Sequence, residues 1–405
     1  MSPPERRAPV IVTGAGTINA LGRHVAAFWT LLLRNATGIR AVPDCLGSGS
    51  EVLAAPVEDP LPAVTCAGPR LTRTDRLALV ATAEALDQSG VRARVPKERI
   101  AVVIGTTTGG IREVEDALLA RGGSLRGIRR SRLLLFERAA TAEAIAGAFE
   151  LEGPRFTLHT ACASGGSAIL LGAELIRAGE ADAAVVGGSD ALARITLSGF
   201  RALRLVGGEP CRPFDRNRLG LSLGEGAGVL VLERAEVARA RGATVLAKLL
   251  SGGESTDAHH LTAPPEDGSG AARALEDALR RAGLTPDEVD HVNAHGTGTV
   301  ANDASEAAAL RSVFGRRAAR LPVTSIKGAL GHTLGAAGAI EAVAAVWTLR
   351  TGLVPPTAGL SDPDPALGLD VARGAPRRGD WKVVLSSSFG FGGANAVLCL
   401  ARAEA

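Results

Sequence analysis

A cysteine set among small residues is the first candidate for chemistry in this chain. Cys162 lies in the segment 160–167, at the start of a helical pattern that is almost entirely apolar. Unpaired N–H groups and the positive dipole end of a helix lower the pKa of a nearby thiol and favour its nucleophilic thiolate. The small neighbours leave room for a bulky acyl group. A buried cysteine by itself is more often an inert hydrophobe, so the segment needs support from others.

Three further segments are candidates: two place histidine and lysine at predicted strand–helix junctions, and the third is a glycine-rich turn. His295 follows a strand pattern and stands among glycine and threonine in residues 293–299. Lys327 and His332 are five residues apart, just before a second apolar helical pattern, and residues 388–395 form a glycine-rich turn between two strand patterns. Each could be structural. A cysteine, two histidines and a lysine in the same kind of position favour one shared catalytic site.

The segment 12–22 resembles a dinucleotide-binding loop, because Gly14 and Gly16 follow a strand pattern. The dinucleotide fingerprint needs a third glycine three residues after the second, where this chain has Asn19. Residues 34–42, about 20 positions further on, also lack the acidic strand-end residue that would bind a ribose. We therefore predict a glycine-rich turn after the first strand and no dinucleotide site.

Short apolar runs alternate with longer helical patterns, which indicates an α/β fold. The predicted strands cover residues 10–13, 100–104, 183–186, 229–232, 245–250, 291–293, 322–325 and 383–385. The predicted helices cover residues 76–88, 141–149, 165–176, 270–282, 305–314 and 335–349. The third and the last are apolar nearly all round, with Glu174 and Glu341 among their few polar residues. Such helices lie inside large proteins, so the pair predicts a duplicated architecture with helices between sheets. The arginine-rich segment 114–138 is predicted to be an insertion on one face.

Composition excludes several other classes of protein. The 405 residues have no tyrosine, 3% aromatic residues and a formal charge of +3, which argues against a base-stacking nucleic-acid platform. The five cysteines are irregularly spaced without a CxxC pair, so neither a disulfide framework nor a zinc site is indicated. No stretch matches a signal peptide or a membrane span. We expect a soluble, cytoplasmic protein with no metal.

Five segments together resemble the β-ketoacyl-acyl-carrier-protein synthases, in particular their elongating Cys-His-His branch. The matching segments are Thr-Ala-Cys-Ala-Ser-Gly at Cys162, Asn-Ala-His-Gly-Thr-Gly-Thr at His295, Lys-Gly-Ala-Leu-Gly-His-Thr at Lys327 and His332, Gly-Phe-Gly-Gly-Ala-Asn at Phe391, and the stretch 213–228. The resemblance extends along nearly the whole chain. It implies a thiolase-like α/β fold, a five-layered α/β/α/β/α sandwich of two duplicated halves. Residues 1–240 would carry the nucleophile, and residues 241–405 both histidines and the lysine.

The resemblance also implies a role for each residue of the site. Cys162 would take an acyl chain from a carrier-protein thioester, and the backbone N–H groups of Cys162 and Phe391 would form the oxyanion hole. His295 and His332 would bind the thioester carbonyl of a malonyl extender and stabilise the enolate that decarboxylation leaves. The carbanion would then attack the acyl group and lengthen it by two carbons.

The remaining predicted residues support this chemistry. Lys327 would pair with Glu306 and order the histidines, while Phe391 would gate the cysteine from the second substrate. No cofactor is expected, because the substrates are carried on the phosphopantetheine arm of an acyl carrier protein. The residues predicted to bind substrate are Thr108, Phe200, Thr297, Thr299, Phe389 and Gly392.

Three departures from the family pattern favour a specialised pathway such as polyene or polyketide synthesis. Asn302–Asp303 replaces Gly-Asp, and residues 215–220 lack the acidic residue before the glycine. Thr108 stands where a branched aliphatic residue usually lines the acyl channel. We therefore hypothesise an unsaturated or oxygenated acyl substrate.

The same resemblance implies an acyl carrier protein and a second subunit as binding partners. Acyl carrier proteins are acidic, and arginines would act mainly on the rate of encounter; a solvated arginine-rich face is an equally simple interpretation. The candidate docking residues are Arg129, Arg130, Arg132, Arg201 and Arg204. A homodimer is expected, and a heterodimer with a cysteine-less chain-length partner stays open.

Several alternatives compete with an elongating synthase. A thiolase would need a second catalytic cysteine, whereas Cys399 falls inside a strand pattern. The initiating synthases use Cys-His-Asn, which Lys327 and His332 disfavour, and a non-catalytic chain-length subunit would lack Cys162. A module excised from a large polyketide synthase is disfavoured because the chain ends shortly after the final strand. A non-elongating acyltransferase and a catalytic subunit that works only with a partner remain alternatives.

Overall fold

The computed structural model of the chain describes residues 10–43, 51–64, 71–134 and 140–403. In the first half the strands are β1 (Val10–Asn19), β2 (Arg40–Pro43), β3 (Glu51–Ala55), β4 (Ile100–Gly105), β5 (Arg155–Leu158), β6 (Ala183–Asp190), β7 (Leu223–Gly224) and β8 (Gly226–Arg234). The helices of that half are α1 (Val25–Leu33), α2 (Arg73–Ser89), α3 (Ile111–Leu119), α4 (Arg130–Leu133), α5 (Ala140–Phe149), α6 (Ser164–Arg177), α7 (Arg194–Ala202) and α8 (Ala235–Ala240).

The second half begins after α8. Its strands are β9 (Ala247–Thr256), β10 (His291–Asn293), β11 (Pro322–Thr324), β12 (Leu353–Val354), β13 (Asp370–Val371), β14 (Arg377–Arg378), β15 (Val383–Phe389) and β16 (Ala394–Arg402). Its helices are α9 (Ser269–Ala282), α10 (Val300–Phe314), α11 (Lys327–Leu330) and α12 (Ala337–Thr351). Within the described residues, no helix is both long and apolar enough to cross a membrane.

The two halves repeat one topology. In the first half the strand order is β5-β4-β6-β8-β1, and in the second it is β11-β10-β15-β16-β9. In each order the first two pairings are parallel and the last two antiparallel. Antiparallel pairing of β1 with β9 joins the two sets into one sheet of eleven strands, with β13 at the far edge. The predicted duplication is therefore confirmed.

The helices form three layers around the two sets of strands. α2 and α5 cover the outer face of the first set, and α9 and α10 cover the outer face of the second. Both apolar helices, α6 and α12, lie between the sets and share one core cluster with residues of β4, β6, β8 and β15. Since most of the surface of these two helices is buried, their sequences need no polar stripe. This arrangement confirms the predicted α/β/α/β/α sandwich.

Every predicted strand and helix is present, but the predicted turn at Gly14 and Gly16 is wrong. Both glycines lie inside β1, which continues to Asn19. Helix α2 crosses the strand so closely that a Cβ on Gly14 would lie 2.1 Å from the carbonyl oxygen of Ala85. The glycines therefore serve close helix–strand packing, a requirement that a local sequence pattern does not distinguish from a turn.

We expect Gly16→Ala to lower the free energy of unfolding by about 3 kcal/mol, because the new methyl group would meet backbone that cannot move aside. Its Cβ would lie 2.0 Å from the carbonyl oxygen of Ala81. Gly147→Ala is the matched control, since Gly147 lies in α5 with nothing within 4 Å of an added Cβ. Alanine should stabilise that helix by about 0.5–1 kcal/mol. Urea denaturation of both variants measures the difference, and equal effects would contradict the packing argument.

The arginine-rich segment predicted as an insertion, 114–138, covers most of α3 and all of α4, and its last residues, 135–138, lie outside the described part of the chain. Arg129 and Arg130 are exposed there. Arg132 is in α4, but its side chain lies outside the described residues.

Candidate active site

Cys162 stands on a tight turn between β5 and α6. The turn is a single 3-10 segment, Ala161–Ala163, and Ala161 has a φ of 50°, in the left-handed region that alanine rarely occupies. The hydroxyl of Ser164 fixes the turn by accepting a hydrogen bond from the backbone N–H of Thr160 at 3.0 Å and donating to the carbonyl oxygen of Ala161 at 2.5 Å. The turn directs the cysteine at a cavity while α6 itself stays buried.

Burial has the largest effect on the pKa of the Cys162 thiol. Burial raises its pKa to about 11, while the positive charge of Lys327 and a hydrogen bond from the backbone N–H of Phe391 act in the opposite direction. The start of a helix favours a lowered pKa, but removing the sulfur from water outweighs the favourable groups, so the net shift is upward.

The glycine-rich segment between β15 and β16 forms one wall of the site, as its sequence predicts. Its short helical turn, Phe391–Gly393, follows Gly390, where a Cβ would lie 2.8 Å from the carbonyl oxygen of Thr160 and 3.1 Å from the backbone nitrogen of Cys162. Any larger residue at position 390 would push the turn away from Cys162. The ring of Phe391 stacks on Phe200, with centroids 5.4 Å apart.

His295 follows β10 and is held by Glu306 from α10. The carboxylate of Glu306 accepts the backbone N–H of His295 at 2.8 Å and that of Gly296 at 2.7 Å. Burial raises the pKa of Glu306 to about 7, and these two hydrogen bonds oppose that rise. Gly296 has a φ of 38°, and a Cβ there would lie 2.6 Å from the Cβ of Ser325. Glu306 therefore orients the backbone that carries the histidine.

His332 lies in the loop between α11 and α12, at the edge of the first half. Its backbone N–H donates to the carbonyl oxygen of Ser222 at 2.7 Å, and its Nδ1 accepts the N–H of Leu334 at 3.2 Å. The rings of His295 and His332 meet edge to face with centroids 5.3 Å apart.

The predicted pairing of Lys327 with Glu306 is wrong. The Nζ atom of Lys327 donates to a carboxylate oxygen of Glu341 on α12 and to the carbonyl oxygen of His295, and it lies 3.3 Å from Nδ1 of His295. Lys327 and Glu341 are each 1% exposed. The sequence did carry a signal for Glu341, because it is a single carboxylate in an otherwise apolar helix, and a buried charge needs a partner.

The hydrogen bonds fix the ring protons of both histidines. Nδ1 of His332 accepts from Leu334, and Nδ1 of His295 faces the donor Lys327, so each ring carries its proton on Nε2. Burial lowers the pKa of both histidines well below the usual range, and Lys327 lowers it further. Two neutral Nε2–H groups are thus the donors that the histidines can offer to a bound oxygen atom.

These groups line one cavity of about 200 Å³. It collects the catalytic residues predicted from sequence and most of the predicted substrate residues: Cys162, Phe200, His295, Thr297, Thr299, Glu306, His332, Phe389, Phe391 and Gly392. Lys327 lies behind His295 and reaches the cavity only through it. Sequence analysis missed other lining residues, including Leu203, Asp257 and His260, which show no pattern of their own.

Thr108 does not line this cavity, which corrects the prediction made for it. Its hydroxyl donates to Asp190 at 2.8 Å, and the residue is buried. The hydroxyl serves a hydrogen bond inside the fold, so it gives no evidence about the polarity of a substrate.

Two other expectations concern positions away from the cysteine. Arg201 and Arg204 are exposed at the end of α7, on either side of Leu203, which lines the cavity. Cys399 lies within β16, fully buried and outside the cavity, and burial raises its pKa to about 12. That position disfavours the thiolase alternative, which needs a cysteine base at the site. Across the described residues, no cluster of histidine, cysteine, aspartate and glutamate could hold a metal ion.

We expect Glu341→Gln to lower the free energy of unfolding by about 3 kcal/mol, because it leaves the buried ammonium of Lys327 without its carboxylate. Glu174→Gln on α6 is the matched control. Glu174 is 45% exposed and pairs with Arg177, so its loss should cost under about 1 kcal/mol. Urea denaturation at neutral pH measures both, and a Glu341→Gln effect no larger than the control would contradict the buried pair.

Stability should fall in acid because His291 is buried at the start of β10 with both ring nitrogens unpartnered. Burial lowers its pKa from 6.5 to about 3. Below pH 6.5 the unfolded chain binds a proton that the folded chain does not, so this residue's contribution is complete above pH 6.5. It falls by about 1.4 kcal/mol per pH unit between pH 6.5 and 3. Denaturation between pH 5 and 8 should show a shallower decline for His291→Leu, and an identical slope would contradict this assignment.

Comparison with known proteins places this geometry in a family. The description "Beta-ketoacyl synthase, N-terminal domain" matches residues 7–238, and "Beta-ketoacyl synthase, C-terminal domain" matches residues 246–361. The chain belongs to the beta-ketoacyl synthase family. These proteins are acyl-transferring condensing enzymes of fatty acid and polyketide synthesis, and this beta-ketoacyl synthase is one of them.

Relatives of this beta-ketoacyl synthase match over almost their full length. Nodulation protein E of Rhizobium meliloti strain 1021 is 37% identical over 400 residues, covering 96% of this chain and 98% of the relative. The 3-oxoacyl-[acyl-carrier-protein] synthase 2 of Coxiella burnetii is 35% identical over 412 residues, covering 97% and 98%. Among solved structures, the ishigamide ketosynthase/chain length factor superposes with a TM-score of 0.92 at 33% identity, covering 98% of this chain and 100% of that chain.

Proposed function

We propose that this beta-ketoacyl synthase builds a carbon–carbon bond in two steps on Cys162, with His295 and His332 as the groups that stabilise the extender. The observation that carries the proposal is that one cavity holds the thiol, the turn of Phe391 and both imidazole rings. A nucleophile and two neutral N–H donors are what acyl transfer and enolate stabilisation require. The nucleophile comes from residues 1–240, and the histidines and Lys327 come from residues 241–405.

The first step transfers the acyl chain. The sulfur of Cys162 attacks the thioester carbonyl of the acyl donor, its proton leaves with the departing carrier thiol, and an acyl-Cys162 thioester remains. Negative charge develops on the carbonyl oxygen during the attack. The backbone N–H groups of Cys162 and Phe391 are the proposed donors to it, and the second of these already points to the sulfur.

The second step uses the histidines. The extender's thioester carbonyl binds the Nε2–H groups of His295 and His332, and loss of CO2 leaves an enolate whose oxygen those groups stabilise. The enolate carbon attacks the carbonyl of acyl-Cys162. The product leaves two carbons longer on its carrier, and the Cys162 thiolate takes a proton from solvent. Lys327 holds His295 with its acceptor nitrogen turned away from the substrate.

Acyl carrier protein is the proposed carrier of both substrates, through its phosphopantetheine arm. The 3-oxoacyl-[acyl-carrier-protein] synthase 2 of Coxiella burnetii carries that partner in its name. The hydroxyls of Thr297 and Thr299 lie in the cavity 2.9 Å apart and offer hydrogen bonds to the amides of such an arm. Arg201 and Arg204 at the cavity's edge are the stronger docking candidates, whereas Arg129, Arg130 and Arg132 belong to the α4 segment.

A specialised pathway, with an unsaturated or oxygenated chain, is proposed for the acyl substrate. Asn302 supports it, because this departure from the family pattern lines the cavity. The similarity to a ketosynthase/chain length factor structure supports it as well. Loading rates of Cys162 with saturated medium-chain and polyenoyl carrier proteins test the idea, and equal rates would contradict it.

We propose that the working form is a dimer, either of two copies or with a chain-length-factor-like subunit. Support comes from the solved structure whose name pairs a ketosynthase with a chain length factor. Native mass spectrometry of the protein purified with and without such a subunit distinguishes the two. A monomer that condenses at full rate would contradict both.

The function is tested by loading the protein from an acyl-carrier-protein donor and measuring its intact mass. One acyl group should appear, and it should be absent from Cys162→Ala. Cys211→Ala is the matched control, since Cys211 is also buried but donates its thiol hydrogen to the carbonyl oxygen of Thr297 and does not line the cavity. Loading of the Cys162→Ala variant at the normal rate would overturn the proposal.

A further inference from the structure

Asp190 is a buried carboxylate at the end of β6 that the proposed mechanism does not use. The residue is 0% exposed. Five groups donate to it: the hydroxyl of Thr106 at 2.8 Å, the N–H of Thr107 at 2.8 Å, the N–H and hydroxyl of Thr108 at 2.9 and 2.8 Å, and the N–H of Gly335 at 2.7 Å. So many donors on one carboxylate offset the cost of burying its charge.

The first four donors lie on the loop after β4, which contacts the nucleophile turn. The carbonyl oxygen of Thr106 is 2.8 Å from Nδ1 of His159, three residues before the cysteine. The hydroxyl of Thr107 lies 3.5 Å from the carbonyl oxygen of Ala161, immediately before it. Asp190 thereby holds the loop against which the Cys162 turn rests.

The fifth donor lies on the other side of the site. Gly335 directly follows Leu334, whose backbone N–H donates the hydrogen bond that orients the ring of His332. Space around Gly335 is tight: a Cβ there would lie 2.7 Å from the carboxylate of Asp190 and 2.9 Å from the backbone of Thr106. A Cβ on Gly188 would in turn lie 2.3 Å from the carbonyl oxygen of Gly335. These close approaches leave the backbone at Gly335 little freedom to move. The hydrogen bond from its N–H to Asp190 therefore fixes the position of the turn after His332 relative to the first half.

We propose that Asp190 is a positioning residue that sets the His332 ring relative to the Cys162 sulfur by binding both of their supporting turns at once. The inference rests on the proposed function of those two residues and deepens it. Reacting groups misplaced by about 1 Å can cost two orders of magnitude in rate. Asparagine at this position would keep one acceptor oxygen but present an NH2 group to donors that need an acceptor.

The test compares Asp190→Asn with Thr108→Val, which removes one hydroxyl donor while keeping the shape of the side chain. Glu233→Gln is the matched control. Glu233 is also 0% exposed. It lies on β8 opposite Ala183, at the end of β6 that is about 20 Å from Asp190 by strand length. Three quantities are measured: the melting temperature, the pH dependence of Cys162 alkylation by iodoacetamide, and kcat and KM for CO2 release from malonyl-carrier protein.

Asp190→Asn should lower kcat for CO2 release by about tenfold or more, with KM changed by less than about twofold. Its alkylation profile should move to lower pH, because the negative charge of Asp190 raises the pKa of Cys162. Thr108→Val should lower kcat by about twofold to fivefold, and Glu233→Gln should leave kcat and the profile unchanged. The Thr108→Val variant keeps the test decisive if Asp190→Asn does not fold.

The role of Asp190 would be overturned if Asp190→Asn and Thr108→Val both kept kcat within twofold of the parent. It would also be overturned if their losses of kcat only followed the loss of folded protein. Failure of the parent protein itself to release CO2 or to be acylated at Cys162 would instead overturn the proposed function.

Discussion

Cys162→Ala should lower condensation by about four orders of magnitude or more and abolish acyl loading, while the protein stays folded. The thiol is the group proposed to carry the acyl chain. When catalytic residues act as a unit, an enzyme loses nearly all of its activity if one of them is removed. The residue is small and 5% exposed, so removing one sulfur atom leaves a modest cavity. Loading is measured by intact mass, and condensation by product formation from the acyl and malonyl carriers.

Cys399→Ala provides the control for this prediction. Cys399 is more deeply buried than Cys162 and lies in β16 away from the cavity, so its replacement should cost stability without changing loading. A thiolase-like mechanism predicts the opposite, since it would need a second cysteine. Loss of condensation in Cys399→Ala with normal stability would contradict a mechanism that uses Cys162 alone.

His332→Ala should lower CO2 release from malonyl-carrier protein by about 10²–10³-fold, and His295→Ala by a similar factor. Each variant removes one of the two neutral Nε2–H groups proposed to stabilise the enolate oxygen as its charge develops. Acyl loading of Cys162 should change by less than about tenfold, because the donors proposed for that step are backbone N–H groups. Stopped-flow measurement of CO2 release and intact-mass measurement of loading separate the two steps.

His291→Leu is the control for the histidine variants. It removes a third buried imidazole that does not line the cavity. We expect normal CO2 release from it at neutral pH. Equal losses in loading and in CO2 release for His332→Ala would contradict the assignment of the histidines to the extender.

The fold could be predicted from the sequence because its main features are local patterns. The two helices that are apolar nearly all round, α6 and α12, indicated a buried middle layer, and their similar settings indicated duplication. Cys162, His295 and His332 each lie at the end of a strand or the start of a helix. The sequence pattern of strands and helices therefore predicts that their side chains lie at one edge of the sheet. The structure brings them to a single cavity.

Contacts between distant segments could not be predicted in the same way. Lys327 needed a buried acid, and both Glu306 and Glu341 were available in sequence. Only the position of Lys327 in the folded chain, between Glu341 of α12 and the carbonyl oxygen of His295, selects Glu341. Thr108 has the sequence position of a channel residue, but its hydroxyl binds Asp190, which lies 82 positions further along the chain.

The balance of competing effects was the other source of error. The start of α6 near Cys162 suggested a lowered thiol pKa, but burial raises it to about 11. The glycines of β1 suggested a turn, although they make room for α2. In both cases the deciding quantity was how closely other parts of the fold approach, which a local pattern does not contain.

One single-turnover measurement tests two-step condensation on Cys162 most directly. The protein is loaded with an acyl group, freed of donor, mixed with malonyl-carrier protein, and the intact masses of both proteins are followed in time. We predict that the acyl mass leaves Cys162 as one CO2 is released and that the carrier gains the acyl chain joined to a two-carbon unit. An acyl group that stays on Cys162, or the same product formed by Cys162→Ala, would contradict this mechanism.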